Sequence, residues 1–170
     1  MNTGPNVRLS LPLHRLARRR HHVAFEVVLA TALLGGIGCG QTAAHSGLPE
    51  GTIFLGSDRL ALHVEIAETE PARQRGLMDR TSLGRDSGMA FLFDSPVQVG
   101  FYMKDTLIPL SIAFWDQNLR IVTILDMAPC RADPCPDYFA QRPFVGAVEA
   151  NQGFFAEHGI GVGDKVELER

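Results

Sequence analysis

The sequence predicts a mainly β domain: a small, antiparallel, partly closed β-barrel or sandwich with two short helices, an α+β arrangement being the alternative. Three observations carry this expectation. Short apolar runs alternate with polar residues at period two, turn-forming residues separate them, and just two segments show helix start and stop signals.

Thr52-Ile53-Phe54-Leu55, the turn Gly56-Ser57-Asp58, and Leu60, Leu62, Val64 and Ile66 alternating with Ala61, His63 and Glu65 predict a hairpin with one half-buried face. Thr69 is placed to cap a helix beginning at Glu70-Pro71, since proline is tolerated in the first turn. That helix reaches to about Leu77 and stops near Gly76 or Met78. Met89 to Phe93 reads as a short apolar strand. Val97, Val99, Phe101 and Met103, alternating with Gln98, Gly100, Tyr102 and Lys104, read as another. Leu110, Ile112 and Phe114 form the next, Asp116-Gln117-Asn118 a turn, and Leu119 to Leu125 the returning strand. Gly146 to Ala150 and Lys165 to Glu169 bring the set to seven or eight strands, with Asn151 expected to cap a second helix that Gly159 ends.

Charge divides the chain. Residues 1–39 hold five Arg against the single acid Glu26, a net of +4, whereas residues 40–170 hold 11 basic and 18 acidic residues, a net of −7. The basic stretch, the apolar run from Val27 to Leu34 and the small residues up to Cys39 have the layout of a secretory signal. The apolar part is too short to cross a ~30 Å hydrocarbon core comfortably. Gly38-Cys39-Gly40 resembles a lipoprotein cleavage site, with Cys39 lipidated and holding the protein at the outer side of the membrane. Simple secretion, with cleavage near Ala43-Ala44, and an uncleaved anchor are the alternatives. Residues 40–50 read as a tether and 51–170 as one domain. The acidic body argues against a nucleic-acid partner, because binding phosphates needs a basic face.

The strongest site candidate is Lys104-Asp105-Thr106, a short polar knot between two apolar runs that carries both charge signs. The chain uses 14 Arg and two Lys, Lys104 and Lys165, so a compact ammonium at 104 hints at a place where a guanidinium does not fit. A carboxylate or sugar hydroxyl is the ligand this triplet suits; a turn whose side chains satisfy nearby backbone is the plainer reading. Arg75 and Arg80, with Asp79 between them, could form one wall of a groove beside Lys104, or ordinary surface ion pairs. Met78, Met89, Met103 and Phe101 are read as core. Cys130 and Cys135 enclose Arg-Ala-Asp-Pro, a spacing that in an exported protein reads as a local disulfide. His45, His63 and His158 lack ligand spacing, and no metal or cofactor is implied. Neither a nucleophile elbow nor a phosphate-binding loop is present. Asp94, Asp116, Asp126 and Glu149 end or flank strands, where carboxylates are usually solvated, although a glycosidase-like pair among them stays open.

Arg75-Gly-Leu-Met-Asp-Arg80, Gly88-Met-Ala-Phe-Leu-Phe93 and Phe101-Tyr-Met-Lys-Asp-Thr-Leu-Ile-Pro-Leu-Ser-Ile-Ala-Phe114 resemble domain of unknown function family 192, as do Ala147-Val148-Glu149 with Gly153, and Gly159-Ile160 before Val162-Gly163-Asp164. The likeness covers about Gly51 to Arg170. It implies a small mostly-β barrel with short helices, often behind a signal peptide, and no established activity, substrate or cofactor. Tyr102 stands where the family commonly has Trp, and Asp105 where Asn is common.

Together these observations lead to an expected envelope protein that binds a small ligand or an envelope component without catalysis. The alternative is a hydrolase acting on cell-wall or carbohydrate substrates through carboxylates near Lys104.

Overall fold

The computed structural model describes residues 47–170; the leader, Cys39 and most of the tether fall outside the described residues. Nine strands and two short helices follow in the order β1 (Glu50–Leu55), β2 (Leu60–Ala67), α1 (Glu70–Arg75), β3 (Ser87–Val97), β4 (Gly100–Tyr102), β5 (Leu110–Trp115), β6 (Ile121–Met127), β7 (Asp137–Phe139), β8 (Phe144–Asn151), α2 (Phe154–Glu157) and β9 (Val166–Glu169). Seven form one sheet in the order β6-β5-β8-β3-β2-β1-β9, while β4 and β7 form a separate two-stranded ribbon. The sheet curls into a half-barrel, as a long twisted sheet does to cover its own apolar face. Its outer strands meet at one end, where Arg120 and Lys165 bridge, Ile121 N donates to Asp164 O (2.9 Å) and Val166 N donates to Leu119 O (2.9 Å).

Three local differences from the sequence expectation have physical causes. The pair β2–β3 is parallel, because the chain between them crosses over through α1 instead of turning back. The single strand expected over residues 97–103 is split: β3 runs on to Val97, and the chain re-pairs as β4 with β7 after leaving the main sheet. Asn151 is not a helix cap; its Nδ2 donates to Gly84 O (2.8 Å), clamping the preceding loop, and Gly153 with φ 87° occupies the cap position of α2. The Thr69 cap does form, accepting from Ala72 N, and α1 ends at Gly76.

Alternation along the central strands sorts the core into two clusters, one on each face of the sheet. Ala90, Ala113, Trp115, Val148 and Ala150 join Ile53, Leu62, Ile66 and Phe155 on one side. Met89, Phe91, Ile112, Phe114 and Ala147 join Leu77, Met103 and Phe144 on the other. Burial on both faces explains why β5 is apolar except at Ser111, whose hydroxyl donates to Asp126. The second cluster is aromatic: Phe101 meets Phe91 at 5.1 Å and Phe114 at 5.4 Å, both edge-on. Cys130 and Cys135 are bonded, stapling the loop before β7.

Gly146 in β8 lies under the indole of Trp115; a β-carbon there would meet Cζ2 at 2.1 Å. Gly146→Ala is therefore expected to destabilise the domain by about 1–3 kcal/mol, read as a lowered midpoint in urea with the slope unchanged.

Candidate functional site

Glu149 occupies the middle of β8, in register with Met89 on β3 and Ile112 on β5, both fully buried. Because Val148 and Ala150 face the first core cluster, strand alternation turns Glu149 toward the second. Its residue is 5% exposed, and among the described residues its carboxyl has no hydrogen bond or ion pair. Burial alone pushes its pKa up to about 8, so the group is mostly protonated at neutral pH. The expectation that strand-end carboxylates are solvated fails here, since β8 continues past Glu149 to Asn151 and neighbouring strands cover both flanks.

A cavity of about 300 Å³ opens over this carboxyl. Glu149 and the buried Thr106 form its inner end. Phe91 and Phe93 from β3, with Gly100, Phe101 and Tyr102 from β4, give it an aromatic lining, and α1 with the turn after it adds Arg73, Gly76 and Met78. Gly76 is needed for this packing, because it holds a left-handed φ of 48° that lets the chain turn sharply at the end of α1. Val99 and Tyr102 are roughly two-fifths exposed and mark the mouth.

The charged groups of α1 that line the cavity already have partners, although Nε of Arg73 is buried without a hydrogen bond. Arg73 Nη1 donates to Glu68 O (2.7 Å) and Leu92 O (2.9 Å), Nη2 donates to Glu70 (3.0 Å), and the guanidinium lies 4.9 Å over the Phe93 ring. Glu70 also accepts from Gln74 (3.0 Å); the hydrogen bonds from Arg73 and Gln74 hold its pKa below the usual glutamate value. Arg75 pairs with Asp79 at 3.3 Å across a solvated surface.

The residues singled out from sequence separate into three groups. Thr106 and Arg75 line the cavity. Arg80 makes a two-pronged pair with Glu65, at 2.5 and 2.7 Å, with both side chains about four-fifths buried. Lys104 and Asp105 are exposed and lie outside the cavity lining. Their turn instead holds neighbouring backbone in place. Asp105 adopts a left-handed φ of 54°, its carbonyl accepts from Asp79 N (2.9 Å), and Thr106 Oγ1 donates to Lys104 O (3.3 Å). Asn and Asp tolerate that φ better than other non-glycine residues. Met89 and Met103 belong to the core as expected, whereas Met78 and Phe101 also face the cavity. Asp126 accepts from Ser111 Oγ, and Asp116 accepts from the Asn118 and Arg120 amides in its turn. No group of three or more metal-ligating side chains occurs among the described residues, nor does a helix long and apolar enough to cross a membrane.

A small half-barrel domain with a buried, unpaired acid at the inner end of an aromatic-walled cavity is the class of protein these features define. The chain belongs to family DUF192, an uncharacterized family whose profile matches residues 53–168. It is similar to the crystal structure of a protein of unknown function from Novosphingobium aromaticivorans, with 34% identity over 74% of this chain and 89% of that one, at a TM-score of 0.68. A Sinorhizobium meliloti protein, named as a presumed regulator of transcription, is similar at 28% identity over 71% of this chain and 95% of that one, with a TM-score of 0.63. No curated protein matches the chain.

Two outcomes follow from this geometry. Glu149 binds its proton more tightly folded than unfolded, so it favours the fold fully below pH 4.5, and that contribution is lost as pH rises through about 8. Chemical denaturation between those limits is expected to show stability falling by on the order of 4 kcal/mol in wild type, with most of that slope absent in Glu149→Gln. Arg80→Ala is expected to cost about 2–3 kcal/mol by taking the two-pronged partner from a mostly buried Glu65, whereas Lys104→Ala changes stability by less than about 0.5 kcal/mol; equal costs for the two would contradict the placement of these side chains.

Proposed function

We propose that this domain is a non-catalytic binding module whose small ligand occupies the cavity over Glu149. The observation that carries the reading is the carboxyl itself. A desolvated, unpaired acid weakens the fold at neutral pH, and a sheet interior position of that kind is easily filled by an apolar residue. A concave, mostly apolar site with a few convergent polar groups is the usual form of a small-molecule site. Retaining both together is accounted for by a ligand that meets the carboxyl.

The basic leader, short apolar run and Cys39 support display outside the cytoplasm, anchored by lipid or secreted, and the Cys130–Cys135 bond suits an oxidising compartment. In that setting the ligand is a small envelope molecule or the exposed end of a larger envelope component. The acidic body makes a nucleic-acid partner unfavourable.

A hydrolase acting on cell-wall or carbohydrate substrates is the second reading. In its favour, Glu149 is held protonated while Glu70, on the same cavity, is held ionised, and such a divergence suits an acid and a base. The carboxylates would then be these two, and not groups beside Lys104.

A screen of small amines, sugars and carboxylates, followed by amide NMR shifts, tests the proposal. Ligands are expected to move the signals of Phe101, Thr106 and Glu149 together, with Glu149→Gln weakening them about tenfold or more. Shifts confined to the Lys104 turn would refute it, and release of sugar from glycan substrates that Glu149→Gln abolishes would establish the hydrolase instead.

A further inference from the structure

We propose that the cavity takes the positively charged amine end of a small organic molecule, with Glu149 as its counter-ion and Phe91, Phe93, Phe101 and Tyr102 as the surrounding wall. This inference rests on the reading of the cavity as a ligand site and specifies the chemistry of what enters it.

Charge matching within the cavity points this way. Four carboxyl or guanidinium side chains line it, and three already have opposite-charge partners: Glu70 with Arg73, and Arg75 with Asp79. Glu149 alone among these four has none among the described residues, and no protein cation offsets its desolvation. A neutral hydroxyl would share a hydrogen bond with the protonated acid yet leave the carboxyl as costly to ionise as before. An anion would accept a hydrogen bond from the protonated acid, but it would lie against the electron-rich aromatic wall and would disfavour ionisation of the acid further. A cation supplies the charge that the fold withholds and gains on both counts, because aromatic faces attract ammonium groups and do so more strongly when the site is desolvated.

Size and shape are consistent with this occupant. A cavity of about 300 Å³ is at the lower end for small-molecule sites and accommodates an ammonium group on a short carbon body. Thr106, buried and lining the same cavity as Glu149, carries a hydroxyl that already donates to Lys104 O, so its oxygen remains able to accept a hydrogen bond from an incoming N–H. At the mouth the half-open side chains of Val99 and Tyr102 let the remainder of a longer molecule extend into solvent.

A charge series on one molecular frame decides the matter. Benzylammonium, benzyl alcohol and benzoate have similar shapes and differ in charge; their binding to the full chain at pH 7.5 is followed by calorimetry and by amide NMR shifts around Phe101 and Glu149. Benzylammonium is expected to bind at least tenfold more tightly than benzyl alcohol, with benzoate weakest. Glu149→Gln is expected to erase the preference for the amine, with the dispersion of its amide NMR spectrum showing that the variant is folded. Equal or tighter binding of the alcohol or of benzoate would overturn the cationic assignment and leave the cavity as a site for a different ligand. Absence of cavity shifts with all three probes would overturn both the assignment and the binding-site reading beneath it.

Discussion

A carboxyl group buried deep in the sheet, without a cationic partner among the described residues, is the constraint around which the site is arranged. β8 is flanked by β3 on one side and β5 on the other, so Glu149 has no solvent route along the sheet. Its carboxyl lines the cavity beside the second core cluster. Ionising such a group is unfavourable, and the fold meets that problem by keeping the proton on to about pH 8 instead of offering an arginine. Arg73 and Arg75 line the same cavity, yet each pairs elsewhere.

The cavity exists because two pieces of chain approach this face without sealing it. One is α1 with its glycine-ended turn, inserted by the parallel crossover between β2 and β3. The other is the β4–β7 ribbon, which the chain forms after leaving the main sheet at Val97 and which the Cys130–Cys135 bond stiffens nearby. The turn at residues 104–106 ties the two together: Asp105 O accepts from Asp79 N, and Met103 O accepts from both Thr106 N and Cys130 N. The polar triplet that stands out in the sequence thus frames the site, and its Thr106 is the member that reaches the cavity.

Much of the architecture is legible in the sequence, for reasons that particular residues show. Period-two alternation locates β2 because its two faces differ in polarity, β1 follows as its hairpin partner, and Thr69-Glu70-Pro71 locates α1 through capping chemistry. Pairing is less legible. Nothing local in Met89 to Phe93 distinguishes a parallel neighbour from an antiparallel one, and alternation over 97–103 continues smoothly through a point where the chain changes sheets. Glu149 is recognisable as a strand-flanking acid, but its burial depends on strands far away in sequence. A signal is present nonetheless: one acid between Ala147-Val148 and Ala150, in a segment otherwise without polar side chains from Phe144 to Ala150, is out of place in a core strand. Conversely, Lys104 attracts notice through the rarity of lysine in this chain, a compositional cue that says nothing about where a side chain points.

Site-resolved titration of the Glu149 carboxyl carbon by NMR tests the central claim most directly. Burial without a compensating cation predicts a midpoint raised well above the ordinary glutamate value, to about 8, in the ligand-free protein. A midpoint near 4.5, the ordinary glutamate value, would mean that water or an unseen cation reaches the group and that the fold carries no latent charge for a ligand to meet.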